Sequence, residues 1–454
     1  MKLHLMKQFT NNTFAFLILL LTLLLLSCGK AEESNRPPNI VIIFTDDLGY
    51  GDLGCYGNPN IASPNIDQLA VDGIRFTSFY VAAAVCSPSR AALLTGRYPI
   101  RNSPNNFGPE SKNGLPKQEI TLADLLRNKG YTSAAIGKWH LGHQKGYLPT
   151  DRGFDQFYGL PYSNDMILPW CPWLSEKDSL FMYENGQPAK LVGFDQDHLT
   201  ENFTKKALDF IAKNKEKPFF LYLAHSMPHL PISTSDQFKG KSEGGFYGDV
   251  IETIDWSVGE VLRELETHGL SNNTLVVFTS DNGPWNDLPD RMLQRSVERW
   301  HTGSTGLLRG SKATSYEGGF RVPALMRWPG TIEKGAVNRQ LVNTMDVFQT
   351  IVSIADASSP NDRAMDGRDV LPLLKGEKLQ LNEAFFYCTG TQLQAVRKMN
   401  WKLRITKKEG VQLFDLKNDP GEKYNLAERN TKQVEVLKKL MTEFSNNSSA
   451  TIAF

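Results

Sequence analysis

The sequence has no excess of charge of either sign and few cysteines. Its 50 Lys and Arg face 49 Asp and Glu over 454 residues, which excludes a general electrostatic footprint for nucleic acid. Five cysteines are too few for the disulfide framework of a small secreted scaffold. Internal repeats, heptad runs and low-complexity tracts are also missing. With 41% hydrophobic residues, the chain is predicted to fold as one large and one smaller domain.

One long hydrophobic run is present, and it lies at the N-terminus. Residues 14–26 are almost entirely apolar and follow two lysines, which is typical of a signal peptide and short for a transmembrane helix. The run ends in Leu-Leu-Ser-Cys-Gly, which resembles a bacterial lipobox with Cys28 as the lipidated residue. We therefore expect a signal peptide over residues 1–27, a solvated tether over residues 28–38, and export to a bacterial membrane, on its periplasmic or surface side. The alternatives are an uncleaved anchor and a soluble secreted protein.

Apolar runs typical of buried strands alternate with amphipathic segments along the first two thirds of the chain. The strands predicted there cover residues 39–45, 131–136, 218–224 and 274–279. This alternation predicts an α/β fold with a large, mixed, mostly parallel sheet between helices. Short runs at hairpin spacing near the C-terminus predict a smaller antiparallel sheet with one helix. We expect the first domain over residues 39–365 and the second over residues 366–454.

Each of the four predicted strands ends in polar residues. They are Asp46 and Asp47, Lys138 and His140, His225 and His229, and Asp281 and Asn282. Because the carboxyl ends of parallel strands form one crevice, these groups are expected to converge on one site. The acids and the amide offer only oxygen ligands, which favours Ca²⁺ or Mg²⁺ over Zn²⁺. Each acid alone would more often be a cap or a turn residue, so the metal prediction rests on the set.

A cysteine loop precedes an apolar helical segment at residues 86–97. It reads Cys-Ser-Pro-Ser-Arg, with Pro88 in a tolerated position of the first helical turn and Arg90 one turn on. The free N–H groups of a helix start favour an anion, and Arg90 adds positive charge. A lone cysteine in this position is more often a buried structural residue.

The pentapeptide nevertheless resembles the C-x-P-x-R signature of the formylglycine-dependent sulfatases, followed by its Thr-Gly-Arg segment. Lys138 with His140, His229, and Lys312 in a Gly-Ser-Lys…Tyr-Glu-Gly-Gly stretch match the same pattern. The chain therefore resembles a type I, arylsulfatase-like sulfatase of the alkaline-phosphatase superfamily, and the fold is expected to be alkaline-phosphatase-like.

The resemblance implies hydrolysis of sulfate esters with two additions to the chain. A formylglycine-generating enzyme would oxidise Cys86 to formylglycine, and a Ca²⁺ ion, with Mg²⁺ as the alternative, would bind at the sheet edge. The implied metal ligands are Asp46, Asp47, residue 86, Asp281 and Asn282. The remaining Cys55, Cys171 and Cys388 allow at most one disulfide, whose pairing the sequence leaves open.

The resemblance also implies roles in catalysis. A hydroxyl of hydrated formylglycine, activated by the metal and Arg90, would displace the alcohol and give a covalent sulfo-enzyme. His229, assisted by Lys312, would protonate the leaving alcohol, and His140 would take the proton whose loss releases sulfate. Lys138, Lys312 and the metal would stabilise charge on the sulfuryl oxygens.

The prediction of the substrate rests on loop residues beyond the strand ends. His301 precedes the glycine-rich approach to Lys312 and is predicted to contact the substrate. Other aromatic and polar loop residues suit a sugar ring, although a structural role is the more usual explanation for each. These residues are Asn164, Asp165, Trp170, Trp173, Trp285 and Trp300. By resemblance we favour exo-desulfation of a galactose or N-acetylgalactosamine sulfate in glycan breakdown.

Two other functions compete with this prediction. A phosphatase or phosphodiesterase of the same superfamily would typically carry a Ser or Thr nucleophile and two zinc ions, which this sequence does not suggest. A non-catalytic lipoprotein that binds sulfated glycans would tolerate loss of the cationic residues, yet every expected one is present.

Overall fold

Two main β-sheets organise the part of the chain that the structure describes. The computed structural model describes residues 36–175, 179–193, 195–294 and 297–452. The predicted signal peptide, Cys28 and most of the predicted tether lie outside these residues. Within them, no helix is both long and apolar enough to cross a bilayer. The four described cysteines, Cys55, Cys86, Cys171 and Cys388, are all free thiols.

The strands are β1 (Asn39–Thr45), β2 (Ile74–Phe76), β3 (Phe79–Tyr80), β4 (Thr132–Gly137), β5 (Gln156–Gly159), β6 (Phe181–Glu184), β7 (Gln187–Leu191), β8 (Phe219–Ala224), β9 (Thr274–Ser280), β10 (Ala324–Arg327), β11 (Ala336–Asn338), β12 (Val342–Asn343), β13 (Phe385–Thr389), β14 (Gln392–Lys398), β15 (Trp401–Thr406), β16 (Gly410–Asp415) and β17 (Thr451–Ile452).

The α-helices are α1 (Pro64–Asp72), α2 (Cys86–Thr95), α3 (Leu122–Arg127), α4 (Leu199–Asn214), α5 (Gly245–Thr267), α6 (Glu317–Phe320), α7 (Thr344–Ile354), α8 (Leu371–Leu374) and α9 (Thr431–Asn446). Single 3-10 turns lie at Gly54–Tyr56, Pro99–Arg101, Pro149–Asp151, Ser271–Asn273 and Asp290–Met292.

The large sheet has ten strands in the order β11-β2-β10-β9-β1-β8-β4-β5-β6-β7. Its five central strands, from β9 to β5, are parallel, and β10, β6 and β7 add antiparallel pairings at the sides. The predicted mixed, mostly parallel sheet is confirmed. The β6–β7 hairpin was not predicted, because its exposed strands lack the apolar run of a buried strand.

Strand β1 shows why this sheet is buried on both faces. All seven residues of β1 are buried, and alternate side chains of a strand point to opposite faces. Val41 and Ile43 belong to the core that holds Phe203 of α4, together with residues of α1 and α5. Ile42 belongs to a second core that holds Phe348 of α7, together with residues of α2 and α3. The continuous β-branched run therefore encodes a sheet between two helical layers.

The smaller sheet has the order β13-β14-β15-β16, is antiparallel along this path, and is joined by β17. Helix α9 packs on it, with Leu437 and Met441 in one core with Leu403 of β15. That core also contains Tyr80 and Phe320 from the first two thirds of the chain. The predicted small antiparallel sheet is confirmed, whereas the domain boundary at residues 365 and 366 stays a prediction.

Candidate active site

The carboxyl ends of β1, β9, β8 and β4 meet at one edge of the large sheet. Thr45 at the end of β1 is paired with Ser280 at the end of β9. Gly137 at the end of β4 is paired with Ala224 at the end of β8. The polar residues that follow these strands in the sequence therefore begin at the same edge, as the parallel topology requires.

The backbone around this edge is held in unusual conformations. Gly137 has a φ of 106°, and a Cβ atom there would lie 1.9 Å from the carbonyl oxygen of Ala224, so the close approach requires glycine. Asp47, His140 and Ala313 have φ values of 68°, 61° and 66°, in the left-handed region that such residues seldom adopt. Each costs on the order of 1 kcal/mol, and residues of this kind cluster at functional sites.

Three carboxylates and three cations lie together at the sheet edge, and all are buried except Lys312, whose side chain is 11% exposed. They are Asp46, Asp47, Asp281, Arg90, Lys138 and Lys312. Lys138 donates to Asp46, Arg90 Nη2 lies 2.7 Å from Asp281 Oδ2, and Lys312 Nζ lies 2.7 Å from Asp47 Oδ1. Because the formal charges of this group cancel, a bound divalent cation would give it the net positive charge that attracts a sulfate ester.

Cys86 lies within this cluster as the first residue of α2. It is 2% exposed, its Sγ atom donates to Asp46 Oδ1 at 3.4 Å, and Lys312 Nζ donates to Sγ at 3.4 Å. Burial and the negative charge of Asp46 raise the pKa of the Cys86 thiol well above its usual value. The unmodified side chain is therefore a neutral thiol and a poor nucleophile.

Two histidines face the same space. His229 donates from Nδ1 to the carbonyl oxygen of Leu230, which leaves Nε2 3.7 Å from Asp47 Oδ2. Both ring nitrogens of His140 are buried and have no hydrogen-bond partner among the described residues. Burial, with the charges of Lys138 on His140 and of Lys312 on His229, holds both histidine pKa values well below the usual range. By contrast, His225 contacts Ser257 at 3.2 Å and is not part of this group.

The donor atoms at the sheet edge suit a hard metal ion. Four residues place one ligand atom each within 4.8 Å of one another, namely Asp46, Asp47, Cys86 and His229. Asn282 donates from Nδ2 to Asp47 at 2.6 Å, while its Oδ1 atom is buried without a partner in the described part of the chain. An orphaned oxygen beside two carboxylates is what a cation would satisfy.

The structure brings only some of the five predicted metal ligands into this group. Asp46, Asp47 and Cys86 lie in the group, and Asn282 adjoins it. Asp281 is already engaged, because it accepts from Arg90 and from the Asp47 amide at 3.2 Å. His229 has a nitrogen in the group although it was predicted to act only as an acid. The spacing of the histidine motif gave no sign of this position.

The pKa values of the three carboxylates differ, although their formal charges are balanced by the three cations. Burial alone would raise the pKa of Asp46, but Lys138 and its neighbours hold it well below its usual value. Burial raises the pKa of Asp47, and burial together with the charge of Asp46 raises that of Asp281 to about 7. The site can therefore accommodate further positive charge.

A cavity of about 270 Å³ opens from the cluster to solvent. Cys86, His140, His229 and Lys312 line its inner part. Its other lining residues include Ser163, Asp165, Trp173, Trp285 and Arg291. Arg291 has no counterpart among the predicted site residues, because no motif marks it and it lies in a loop more than 100 residues from Asp165.

His301 does not line this cavity. Its Nδ1 atom accepts from the Glu298 amide, and its ring packs 5.5 Å from that of Phe246. It lines a second cavity of about 940 Å³, together with Trp170 and Asp197. His301 is close to Lys312 in sequence, but the two residues line different cavities. A contact with the sulfated group therefore has no support in the geometry and stays a prediction.

Comparison with known proteins agrees with this geometry. The family model described as Sulfatase matches residues 38–357. The chain belongs to the sulfatase family. A second model, described as N-sulphoglucosamine sulphohydrolase, C-terminal, matches residues 310–450.

Individual relatives cover most of this sulfatase. The N-acetylgalactosamine-6-sulfatase of Canis lupus familiaris is 37% identical over 90% of this chain and 85% of its own. Arylsulfatase A of Homo sapiens is 38% identical over 89% of this chain and 86% of its own. The crystal structure of Ps i-CgsB in complex with k-i-k-neocarrahexaose has a TM-score of 0.77 at 31% identity, over 90% of this chain and 93% of that one. The protein is therefore a sulfuric ester hydrolase with the alkaline-phosphatase-like fold.

Proposed function

We propose that this sulfatase removes sulfate from single sugar units of glycans by exo action, with a preference for galactose or N-acetylgalactosamine sulfate. The observation that carries the proposal is the buried, charge-balanced cluster around Cys86 at the base of a small cavity. Two of the compared proteins support the sugar, since one is named an N-acetylgalactosamine-6-sulfatase and the other is bound to a neocarrahexaose. A closed base with a small cavity suits the end of a chain better than its middle.

Residue 86 is proposed to act as formylglycine, and the Sγ atom stands where an oxygen of that group would be. Hydrated formylglycine supplies an oxygen nucleophile, which the neutral thiol of Cys86 does not. Because Cys86 is buried at the start of α2, the oxidising enzyme has to act before the chain folds. In an exported protein this means oxidation before export.

The proposed metal is Ca²⁺, with Mg²⁺ as the alternative. Its ligands would come from Asp46, Asp47, residue 86, Asp281 and Asn282. When bound, the ion supplies positive charge to the sulfate oxygens. The orphaned oxygen of Asn282 and the raised pKa values of Asp47 and Asp281 support the assignment.

The cations of the chain are proposed to hold the sulfate group. Lys138 is paired with Asp46 and Lys312 with Asp47, and each ammonium group can also donate to a sulfuryl oxygen. Arg90 is fixed by Asp281 and by the carbonyl oxygen of Lys138 at 2.8 Å, so it holds the neighbouring groups in place. Burial of Arg90 and Lys138 excludes water that would otherwise screen their charge, while Lys312 lines the cavity where the sulfate group would bind.

The two histidines are proposed to move protons. Because Nδ1 of His229 donates to Leu230, Nε2 is the atom that would pass a proton to the oxygen of the leaving alcohol, with Lys312 beside it. The lowered pKa leaves Nε2 without a proton in the free protein, so this role requires protonation of the ring when the negatively charged sulfate ester binds. His140 has both ring nitrogens without a partner in the described chain, so one of them can accept the proton that leaves residue 86. One turnover takes a proton from His229 and adds one to His140, so the site is restored when His140 loses its proton, His229 regains one, and water hydrates the aldehyde of residue 86 again.

We further propose that the mature protein is attached through a lipid at Cys28 to a bacterial membrane. The N-terminal sequence alone supports this location. Expression of the wild type and of Cys28→Ser in a bacterial host, followed by separation of membranes, tests it. Wild-type protein is expected with the membranes and the variant without them, whereas equal distribution would contradict the anchor.

The decisive experiment is release of sulfate from a panel of singly sulfated sugars, p-nitrophenyl sulfate and matching phosphate esters. The protein is co-expressed with a formylglycine-generating enzyme and compared with Cys86→Ala. The matched control is Cys388→Ala, which removes another buried thiol in β13. Release that vanishes in Cys86→Ala and persists in Cys388→Ala is expected. Phosphate release would favour the phosphatase, and binding of sulfated polysaccharide without turnover would favour the non-catalytic alternative.

Metal removal gives a second test of the site. A chelator is expected to lower the midpoint of thermal unfolding, and added Ca²⁺ to restore it, since an ion at 100 times its Kd stabilises the folded state by about 2.7 kcal/mol. Asn282→Leu, which lacks the orphaned oxygen, is expected to respond less. A midpoint of the wild type that does not change with chelator would contradict the proposed metal site.

A further inference from the structure

Asp165 is a carboxylate on the wall of the cavity whose side chain has no hydrogen bond to the described part of the chain. It is 6% exposed and lines the cavity that contains Cys86. Within the described chain its one charged partner is Arg291, whose Nη1 atom lies 3.7 Å from Asp165 Oδ2, beyond hydrogen-bond distance. Its carboxylate oxygens are therefore open to the cavity, where a substrate group can take the place of water.

Arg291, which faces Asp165, has N–H donors that no group in the described chain accepts. Its Nη1 atom donates to the carbonyl oxygen of Trp170, whereas Nε and Nη2 have no partner among the described residues. The guanidinium carbon lies 5.0 Å from the ring centre of Trp173 and 5.7 Å from that of Trp285. The two indoles thus fix the guanidinium by cation–π contacts and leave part of its donor fork unused.

The position of Asp165 relative to the sulfate end of the cavity is fixed. Ser163, two residues earlier, accepts from Lys138 Nζ at 3.0 Å. Asn164 between them is fully buried and donates to Gln196 at 3.0 Å and to the carbonyl oxygen of Pro231 at 3.2 Å. Two residues span at most about 7 Å of backbone, so the main chain of Asp165 lies within about the width of one sugar ring of that of Ser163.

We propose that Asp165 and Arg291 bind two adjacent hydroxyl groups of the sugar ring that carries the sulfate. One hydroxyl donates to the Asp165 carboxylate, and Arg291 donates to the oxygen of that hydroxyl or of its neighbour. Trp173 and Trp285 lie beside the pair and offer apolar surface to the ring. This inference rests on the proposed function and adds to it two residues that determine specificity.

The charge of the pair identifies hydroxyls as its ligand. Asp165 and Arg291 together have no net charge, and the carboxylate would repel a second sulfate or a uronic acid. A hydroxyl, in contrast, both donates and accepts, and so satisfies both unpartnered groups at once. An aryl sulfate offers no hydroxyl here, so the site distinguishes the two substrate classes.

The first test compares galactose 6-sulfate and N-acetylgalactosamine 6-sulfate with p-nitrophenyl sulfate. In Asp165→Ala and in Arg291→Ala, the ratio of kcat/KM for the sugar to kcat/KM for the aryl ester is expected to fall by about 100-fold or more. The matched controls are Asp290→Ala and Arg299→Ala, an exposed ion pair on the same loop as Arg291. Their ratio is expected to match that of the wild type. A ratio in Asp165→Ala equal to that of the wild type overturns the inference.

The second test does not depend on turnover. Binding of galactose 6-sulfate to Cys86→Ala is measured by ligand-observed NMR and compared with binding to the Cys86→Ala, Asp165→Ala double variant. Weakening by about tenfold or more supports the inference even if the wild type releases no sulfate, a result that would contradict the proposed function alone. Equal behaviour of the two proteins, including no binding by either, overturns it. Asp165→Asn, which keeps the shape of the side chain, repeats both tests should Asp165→Ala fold poorly.

Discussion

Two clusters of buried charge lie in this protein, and they are built differently. One is the group around Cys86 at the edge of the large sheet. The other lies between α6 and the small sheet, around Glu317 and Lys402. Both contain several ionised side chains away from water, so burial and charge alone do not distinguish a site of chemistry from a structural support.

The cluster around Glu317 is closed by its own members. Lys402 Nζ lies 2.9 Å from Glu317 Oε1 and 2.9 Å from Glu422 Oε1. Glu422 also accepts from the Glu317 amide at 2.7 Å, and the Tyr387 hydroxyl donates to Glu317 at 2.8 Å. Each charged side chain has an oppositely charged partner, including Arg397, 3.8 Å from Glu317. These contacts join α6 to β14 and β15.

The cluster around Cys86 contains polar atoms that have no hydrogen-bond partner in the described chain. His140 and Asn282 present buried nitrogen or oxygen atoms with no hydrogen-bond partner in the described chain, and the Asp165 carboxylate faces the cavity without one. Such atoms cost folding free energy unless a ligand satisfies them. In the cluster around Glu317, the atom without a hydrogen bond, Glu422 Oε1, still lies 2.9 Å from the ammonium of Lys402, whereas the unpartnered atoms of His140 and Asn282 have no such ion within the described chain. The unpartnered atoms around Cys86 are therefore the ones left for a ligand.

The largest expected effect is the loss of kcat on removal of the unpartnered imidazole of His140. His140→Asn keeps a residue that tolerates the left-handed backbone but removes the ring that accepts a proton. We expect kcat for a sulfate ester to fall by about 10³-fold, while the midpoint of thermal unfolding changes little because no hydrogen bond is lost. A kcat within tenfold of the wild type would exclude His140 as the base.

The next largest expected effect is a loss of stability when the cluster around Glu317 is disrupted. Glu317→Gln leaves Lys402 and Arg397 with less counter-charge in a buried place, so we expect the free energy of unfolding to fall by about 3 kcal/mol. Denaturant titration measures it, and sulfate release per folded molecule is expected to stay the same. Glu435→Gln, at an exposed ion pair with Lys438, is the control and should change stability by less than about 1 kcal/mol. Equal effects of the two variants would contradict the structural role of the cluster.

The smallest effect shows what a buried carboxylate does without a cation. Burial raises the pKa of Asp255 to about 6, although Ile66 N and Asn65 Nδ2 donate to it. At Glu317, burial is outweighed by Lys402 and its neighbours, and the pKa is lowered. Because the pKa of Asp255 is higher in the folded than in the unfolded state, ionisation costs stability as the pH rises through about 6.

Asp255→Asn removes that cost. The stability of the variant relative to the wild type is expected to rise by about 2 kcal/mol between pH 4.5 and pH 7.5. Urea titrations of both proteins across this range measure the difference. A difference independent of pH, or one that falls with rising pH, would show that Asp255 has an ordinary or a lowered pKa in the folded protein.

Much of the fold and the inner part of the site follows from local sequence. A continuous apolar run such as residues 39–45 predicts a buried strand, and the parallel arrangement brings the residues after each strand to one edge. This reasoning assembled Asp46, Lys138 and Asp281 without knowledge of any contact. It works because strand ends are fixed by the sheet and not by the loops.

The outer part of the site depends on loops, and there the sequence predicted only some of the residues: Asp165, Trp173 and Trp285 line the cavity, whereas Arg291 was not predicted. His301 is near Lys312 in sequence but lines a different cavity. Asp165 and Arg291 are distant in sequence and come together through the packing of Trp173 and Trp285. Which loop residues meet is decided by tertiary contacts that no local pattern encodes.

The most direct test of the contrast between the clusters compares Lys138→Met with Lys402→Met. Each variant removes a buried ammonium and is expected to lose stability, so sulfate release is measured per folded molecule, with the folded fraction taken from thermal unfolding. Lys138→Met is expected to release sulfate at least about 100-fold more slowly than the wild type, and Lys402→Met at the wild-type rate. Normal turnover in Lys138→Met, or loss of turnover in folded Lys402→Met, would contradict the account.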